Sequence, residues 1–178
     1  MTRLVCIGDS ITAGQFLEPA EAWPALLNTS HEVFSRAVPG DTTRMGLERF
    51  PRDVQRMEPG IVVIQFGHND ANRWDTDRGL PRVSELAFMA NLIEMADRVR
   101  TFGAEPYVCS LTPSRRCVQH ADDVDRYDQL VRKVSHEVGV RLIDVRAAFE
   151  EGWLMDDGLH LTAAGQRGYA ATVERALR

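Results

Sequence analysis

Five short apolar runs punctuate this chain, each closed by a glycine, a proline or a polar turn. They are Arg3 to Ile7, Glu32 to Val38, Ile61 to Phe66, Pro106 to Leu111 and Val140 to Val145. Short runs rich in Val, Ile and Phe read as β-strands, and apolar residues without alternation imply cover on both faces of a sheet. Between them the period changes. Leu86, Met89, Leu92, Ile93, Ala96 and Val99 recur at helical spacing, with Gly103 as a stop. Tyr127, Leu130, Val131, Val134 and Val138 form a second stripe ended by Gly139. Tyr169, Ala170, Val173 and Leu177 form a third, with Thr162 placed as its N-cap. Residues 43 to 57 are also helical in pattern, and Pro51 predicts a break there.

Strands alternating with helices predict a parallel sheet between two helical layers, an α/β/α sandwich of about five strands. Right-handed crossovers narrow this to a flavodoxin-like, doubly wound topology, in which ligands bind beyond the carboxyl ends of the strands. Three polar segments fall at such ends: Gly8 to Thr12, Pro39 to Thr42 and Gly67 to Asp70. No repeat, linker or low-complexity tract divides the chain, so residues 1–178 read as one domain.

Charge removes one class of function. The formal net charge is −5, the wrong sign for a nucleic-acid-binding face. No run is long enough to span a membrane, and no leader is read ahead of the polar segment that starts at Gly8. The three cysteines, Cys6, Cys109 and Cys117, match no zinc spacing. Cys6 and Cys109 lie in apolar runs and read as buried thiols, which suits a cytoplasmic protein.

The candidate chemistry lies at the strand ends and near the C-terminus. A nucleophilic serine needs a base, and the base needs an orienting group. Ser10 follows the first strand, and Asp157 and His160 stand three residues apart before the last helix, a spacing that puts both side chains on one side of a turn. Asn69 could donate an amide hydrogen to a developing oxyanion, with the backbone N–H groups of Gly40 and Ser10 as further donors. Each piece also has a plainer reading. Ser10, Asn69 and Asp70 are good turn-capping residues, and Gly40 suits a positive φ.

Taken together, the blocks Gly8-Asp9-Ser10-Ile11-Thr12, Gly40-Asp41-Thr42-Thr43, Gly67-His68-Asn69-Asp70 and Asp157-Gly158-Leu159-His160 resemble those of the SGNH hydrolases, the GDSL esterase/lipase family. The resemblance implies a three-layer α/β/α fold and a Ser-His-Asp mechanism. Ser10 would be nucleophile, His160 general base and Asp157 its orienter, with Ser10, Gly40 and Asn69 as the oxyanion hole. It implies no metal and no cofactor. The second block departs from the family pattern: Ser35-Arg36-Ala37 stands where an asparagine is common, and Pro39 precedes Gly40.

The expected reaction is two-step acyl transfer, with a small-molecule ester as partner. The base must be neutral, so turnover is expected to fall on acidification through roughly pH 6 to 7. For the substrate, Trp74 is a candidate platform for a sugar ring, Arg73 or Arg78 a candidate to meet an anionic group, and Arg115, after the fourth strand, a candidate to line the mouth of the site. The first expectation is a short-chain ester, such as an O-acetyl group on a carbohydrate. A lysophospholipase or acyl-thioesterase of the same family is the alternative, and a non-catalytic flavodoxin-like binding module is a second. His31, His120 and His136 read as surface groups, and Trp23 and Trp153 as packing residues, with Trp153 a possible pocket wall.

Overall fold

In the computed structural model, which describes residues 2–178, five strands form: β1 (Arg3–Gly8), β2 (Glu32–Ala37), β3 (Ile61–Gln65), β4 (Glu105–Cys109) and β5 (Arg141–Ile143). All pair in parallel, in the order β2-β1-β3-β4-β5. The chain therefore leaves β1 in one direction to reach β2 and crosses back past β1 to place β3. The loops after β1 and β3 diverge at this switch point and open a crevice at the carboxyl edge.

Seven α-helices accompany the sheet: α1 (Ser10–Ala13), α2 (Trp23–Leu26), α3 (Thr43–Asp53), α4 (His68–Ala71), α5 (Glu85–Thr101), α6 (Val118–Val138) and α7 (Ala163–Ala176). Alternate strand residues feed two separate cores, because successive side chains of a strand point to opposite faces. Val5, Ile7, Val62, Ile64 and Val108 pack with Phe50 of α3, Phe88, Leu92 and Met95 of α5, and Val124, Tyr127 and Val131 of α6. Leu4, Cys6, Val63, Tyr107, Cys109 and Ile143 pack with Trp23 of α2 and with Tyr169 and Val173 of α7. The fold is the flavodoxin-like α/β/α sandwich expected from the alternation of periods.

Local chemistry explains several boundaries. Ser84 caps α5, accepting from Ala87 N–H, and Gly103 follows its end with φ +74°. Thr162 caps α7 as expected, accepting from Gly165 N–H at 3.1 Å. Trp23 is fully buried and stacks on Tyr169 at 5.1 Å.

Five expectations need correction. Helix α3 runs through Pro51 and ends at Asp53. Proline so near the C-terminus removes a single helical hydrogen bond, and the chain turns only at Val54. Strand β5 is three residues long, half the expected run. β2 is an edge strand with much of its surface half-exposed rather than covered. α6 begins at Val118, well before the apolar stripe. Its first two turns bury the polar residues His120 and Asp123, so a hydrophobic period cannot reveal them. His120 is accordingly a buried group and not a surface one.

Candidate active site

The β1–α1 turn is built around Asp9. Its Oδ1 accepts the Ile11 N–H at 2.9 Å, capping the short helix whose first residue is Ser10. At the other end of the chain, Asp157 Oδ1 accepts the N–H groups of Leu159 and His160, both at 3.0 Å, and curls residues 157 to 160 into a tight turn. Gly158 sits in that turn with φ +69°, and a Cβ there would stand 2.6 Å from the Arg115 carbonyl carbon, so only glycine fits. Asp157 Oδ2 then lies 2.5 Å from His160 Nδ1. A carboxylate only accepts, so the imidazole proton is on Nδ1, and the bare Nε2 accepts the Ser10 hydroxyl at 3.0 Å.

Helix α7 is what brings residue 10 to residue 160. His160 immediately precedes its N-terminus. One turn further on, the buried Gln166 accepts from Trp23 N–H at 2.8 Å and donates to the Ile11 carbonyl at 3.1 Å. The helix that follows the imidazole is thus bonded to the turn that carries the hydroxyl.

Electrostatics at the chain of three are uneven. Burial opposes ionisation of Asp157, but the His160 ring and the two backbone N–H groups outweigh it and hold the carboxyl below its usual range. Behind Ser10 the balance reverses. Burial pushes Asp9 up to about 7 against the Ile11 N–H, with the Asp70 and Asp41 charges adding to the rise. Burial also raises Asp70 to about 6, against hydrogen bonds from the Thr43 hydroxyl and N–H. That Asp70–Thr43 pair ties the block after β2 to the block after β3.

The expected oxyanion donors lie around the same crevice. Asn69 Nδ2 donates to the Asp41 carbonyl at 3.0 Å and, at a longer 3.3 Å, to Asp9 Oδ2. Gly40 adopts φ +84° in open space, so its glycine is required by conformation and not by crowding. The N–H groups of Ser10 and Gly40 donate to no acceptor among the turn and loop hydrogen bonds of the described residues. Arg82 Nη1 donates to the Gly40 carbonyl at 2.9 Å and holds that loop against the segment beyond Asn69.

The residues expected to meet substrate are otherwise engaged. Arg73 Nε and Nη2 bind Asp123 at 2.6 and 2.8 Å, and its Nη1 donates to the Gly79 carbonyl at 2.6 Å. It fastens the 73–81 loop to α6. Trp74 is half exposed, but the Arg82 guanidinium lies 4.5 Å over its ring. Arg115 pairs with Glu151 at 3.1 Å on the surface. Trp153 is buried and packs on the glycines of α7.

Three features carry no local sequence signal. Phe16, 70% exposed, sets its ring edge-on against His160 with centroids 5.0 Å apart. Arg82 joins two loops. His120 Nε2 donates to the His68 carbonyl at 3.2 Å, so its Nδ1 accepts the Ser114 hydroxyl at 2.7 Å. His68 in turn donates from Nε2 to the Thr112 carbonyl at 2.9 Å, and burial lowers it to about 4, so it stays neutral.

A serine, a histidine and an aspartate hydrogen-bonded in sequence, at the carboxyl edge of a parallel sheet, form the arrangement of a serine hydrolase. The chain belongs to the SGNH/GDSL hydrolases: the model of the GDSL-like Lipase/Acylhydrolase family matches residues 6–167. It is 26% identical to the Thioesterase 1/protease 1/lysophospholipase L1 of Escherichia coli K12, over 88% of this chain and 74% of that one. It is also 26% identical to an arylesterase of Vibrio mimicus, over 98% and 88% of the two chains. A solved lipase/acylhydrolase from Enterococcus faecalis superposes with a TM-score of 0.84 at 25% identity, covering 99% of this chain and 95% of that one. The protein is a GDSL-type serine hydrolase acting on carboxylic esters. No helix among the described residues is long and apolar enough to cross a membrane.

Proposed function

We propose that the protein hydrolyses acyl esters and thioesters whose acyl chain is longer than acetyl, with Ser10 as nucleophile, His160 as general base and Asp157 as its orienter. The observation that carries this is the unbroken path Ser10 Oγ–His160 Nε2 at 3.0 Å and His160 Nδ1–Asp157 Oδ2 at 2.5 Å. His160 takes the Ser10 proton as the oxygen attacks the carbonyl carbon. The N–H groups of Ser10 and Gly40 and the Asn69 amide receive the oxyanion, Asn69 giving up its long bond to Asp9. The imidazolium returns the proton to the leaving oxygen or sulfur. Water, deprotonated by the same ring, then splits the acyl-enzyme and restores Ser10.

Two observations favour a longer acyl group over the acetylated sugar first expected. One face of the Trp74 ring, the proposed sugar platform, is already taken by Arg82. Val38 and Met45, on either side of Gly40 in sequence, and Leu80, in the loop beyond Asn69, are exposed apolar side chains of the segments that carry the proposed oxyanion donors. The thioesterase and lysophospholipase named among the relatives supports the same choice.

The test is a chain-length panel of nitrophenyl esters with the wild type and Ser10→Ala. Octanoate is expected to exceed acetate in kcat/KM by on the order of tenfold or more, since each methylene in an apolar site contributes up to about 0.8 kcal/mol. Ser10→Ala is expected to abolish turnover. Preference for acetate would overturn the chain-length reading, and substantial activity in Ser10→Ala would overturn the nucleophile.

A further inference from the structure

We propose that Phe16 forms the wall of the leaving-group side of the site and selects esters of bulky apolar alcohols. The inference rests on the triad reading above and adds a second dimension of specificity to it.

The backbone supplies the first observation. Phe16 has φ +71°, one of three non-glycine residues in the chain's described part with positive φ. The left-handed region is unfavourable for a bulky side chain, and a residue held there asks for a reason. Burial is not the reason, because 70% of the residue is exposed. The turn is closed by Gln15 N–H to the Ser10 carbonyl at 3.0 Å and Leu17 N–H to the Gly14 carbonyl at 2.9 Å. Glycine or asparagine would suit position 16 of that turn better.

The second observation is what the ring touches. Phe16 meets the His160 imidazole at an interplanar angle of 82°, with 5.0 Å between centroids. That imidazole has one nitrogen committed to Asp157 and the other facing Ser10. In acyl transfer the proton taken from the serine goes to the leaving oxygen, so the departing alcohol must pass next to Nε2. The carbonyl oxygen points into the N–H groups around Ser10, Gly40 and Asn69, and the acyl chain takes the third direction from the tetrahedral carbon. A ring packed on His160 therefore borders the alcohol and not the acyl chain. An exposed aromatic ring there offers a leaving group apolar surface beside the base while leaving Nε2 open to the water that follows the alcohol.

Two ester series separate the alternatives. One varies the alcohol at constant acyl group: the acetates of methanol, hexanol and 2-phenylethanol, alcohols of similar acidity, followed by acid release. The other varies the acyl group at constant alcohol: nitrophenyl acetate, butyrate and octanoate. In the wild type, 2-phenylethyl acetate is expected to exceed methyl acetate in kcat/KM. Phe16→Ala and Phe16→Gly are expected to reduce that ratio about tenfold, the scale of a lost apolar contact in a specificity pocket. Phe16→Leu is expected to retain part of it. The octanoate-to-acetate ratio is expected to stay as in the wild type for all three. Phe16→Gly also relieves the backbone, so its Tm is expected at or above the wild-type value, and lost selectivity cannot then be ascribed to misfolding. An unchanged alcohol ratio in Phe16→Ala, or a loss that falls on the acyl series, overturns the proposal. Labelling of the wild type with a fluorophosphonate keeps the two readings apart. Failure to label Ser10 sinks the triad, whereas labelling with an unmoved alcohol ratio sinks only the role of Phe16.

Discussion

Asp157 uses its two oxygens for different ends: Oδ1 shapes the turn through two backbone N–H groups, and Oδ2 orients the His160 ring. Asparagine can still accept with its Oδ1 but presents an NH2 to Nδ1, which forces the proton to Nε2 and leaves Ser10 without an acceptor. Asp157→Asn is therefore expected to lower kcat by about 10⁴, the loss seen when this tautomer is reversed in serine proteases, with little change in Tm. Steady-state kinetics beside a thermal melt test the separation: a drop of less than tenfold would mean that the Asp157 charge does not set the tautomer. Ser10, Asp157, His160 and Asn69 were all legible as residue types at strand ends and before the last helix. Phe16 and Arg82 were not, because each acts through a contact made across loops, and neither belongs to a repeating pattern.

Among the elements, α7 has the most varied duties. It follows the imidazole, bonds the serine's turn through Gln166, and covers one face of the sheet with Tyr169 and Val173. Its glycines allow the close approach. A Cβ on Gly168 would stand 2.1 Å from Trp153 Cζ2. Glycine to alanine inside a helix ordinarily stabilises by about 1 kcal/mol, but forced overpacking costs about 1–3 kcal/mol. The second effect is expected to win, so Gly168→Ala should lower the urea midpoint; a raised midpoint would mean that the Trp153 ring moves aside freely. The stripes of α5 and α7 predicted these helices because one apolar face meets one core. The start of α6 escaped prediction because its buried face there is polar: Asp123 is paired with Arg73, and His120 bonds Ser114.

For the whole molecule, the buried acids behind the serine set a pH dependence of folding. Asp9 ionises near its ordinary 3.8 when unfolded and at about 7 when folded. Between those values the folded state holds the proton that the unfolded state has lost, so stability falls as pH rises through the window and the loss is complete above about 7. Asp70, raised to about 6, acts with the same sign over a narrower range. His68 acts oppositely: its folded value of about 4 lies below its ordinary 6.5, so it adds stability as pH rises between them. Asp9→Asn removes the largest of the falling contributions. Relative to the wild type, this variant is expected to gain stability progressively from pH 5 to pH 8 in urea titrations. A constant offset across that range would show that Asp9 does not titrate there.

The sequence by itself determined the sandwich, the strand ends and the residue types of the proposed triad, because these follow from short-range periodicity and from residue types a few positions apart. Only the tertiary structure decided that residues 10 and 160 meet, that Phe16 abuts His160, and that Arg73 and Trp74 are engaged by Asp123 and Arg82. Those outcomes depend on strand order and on which loops the crossovers bring together, and a contact spanning most of the chain leaves no trace in local pattern.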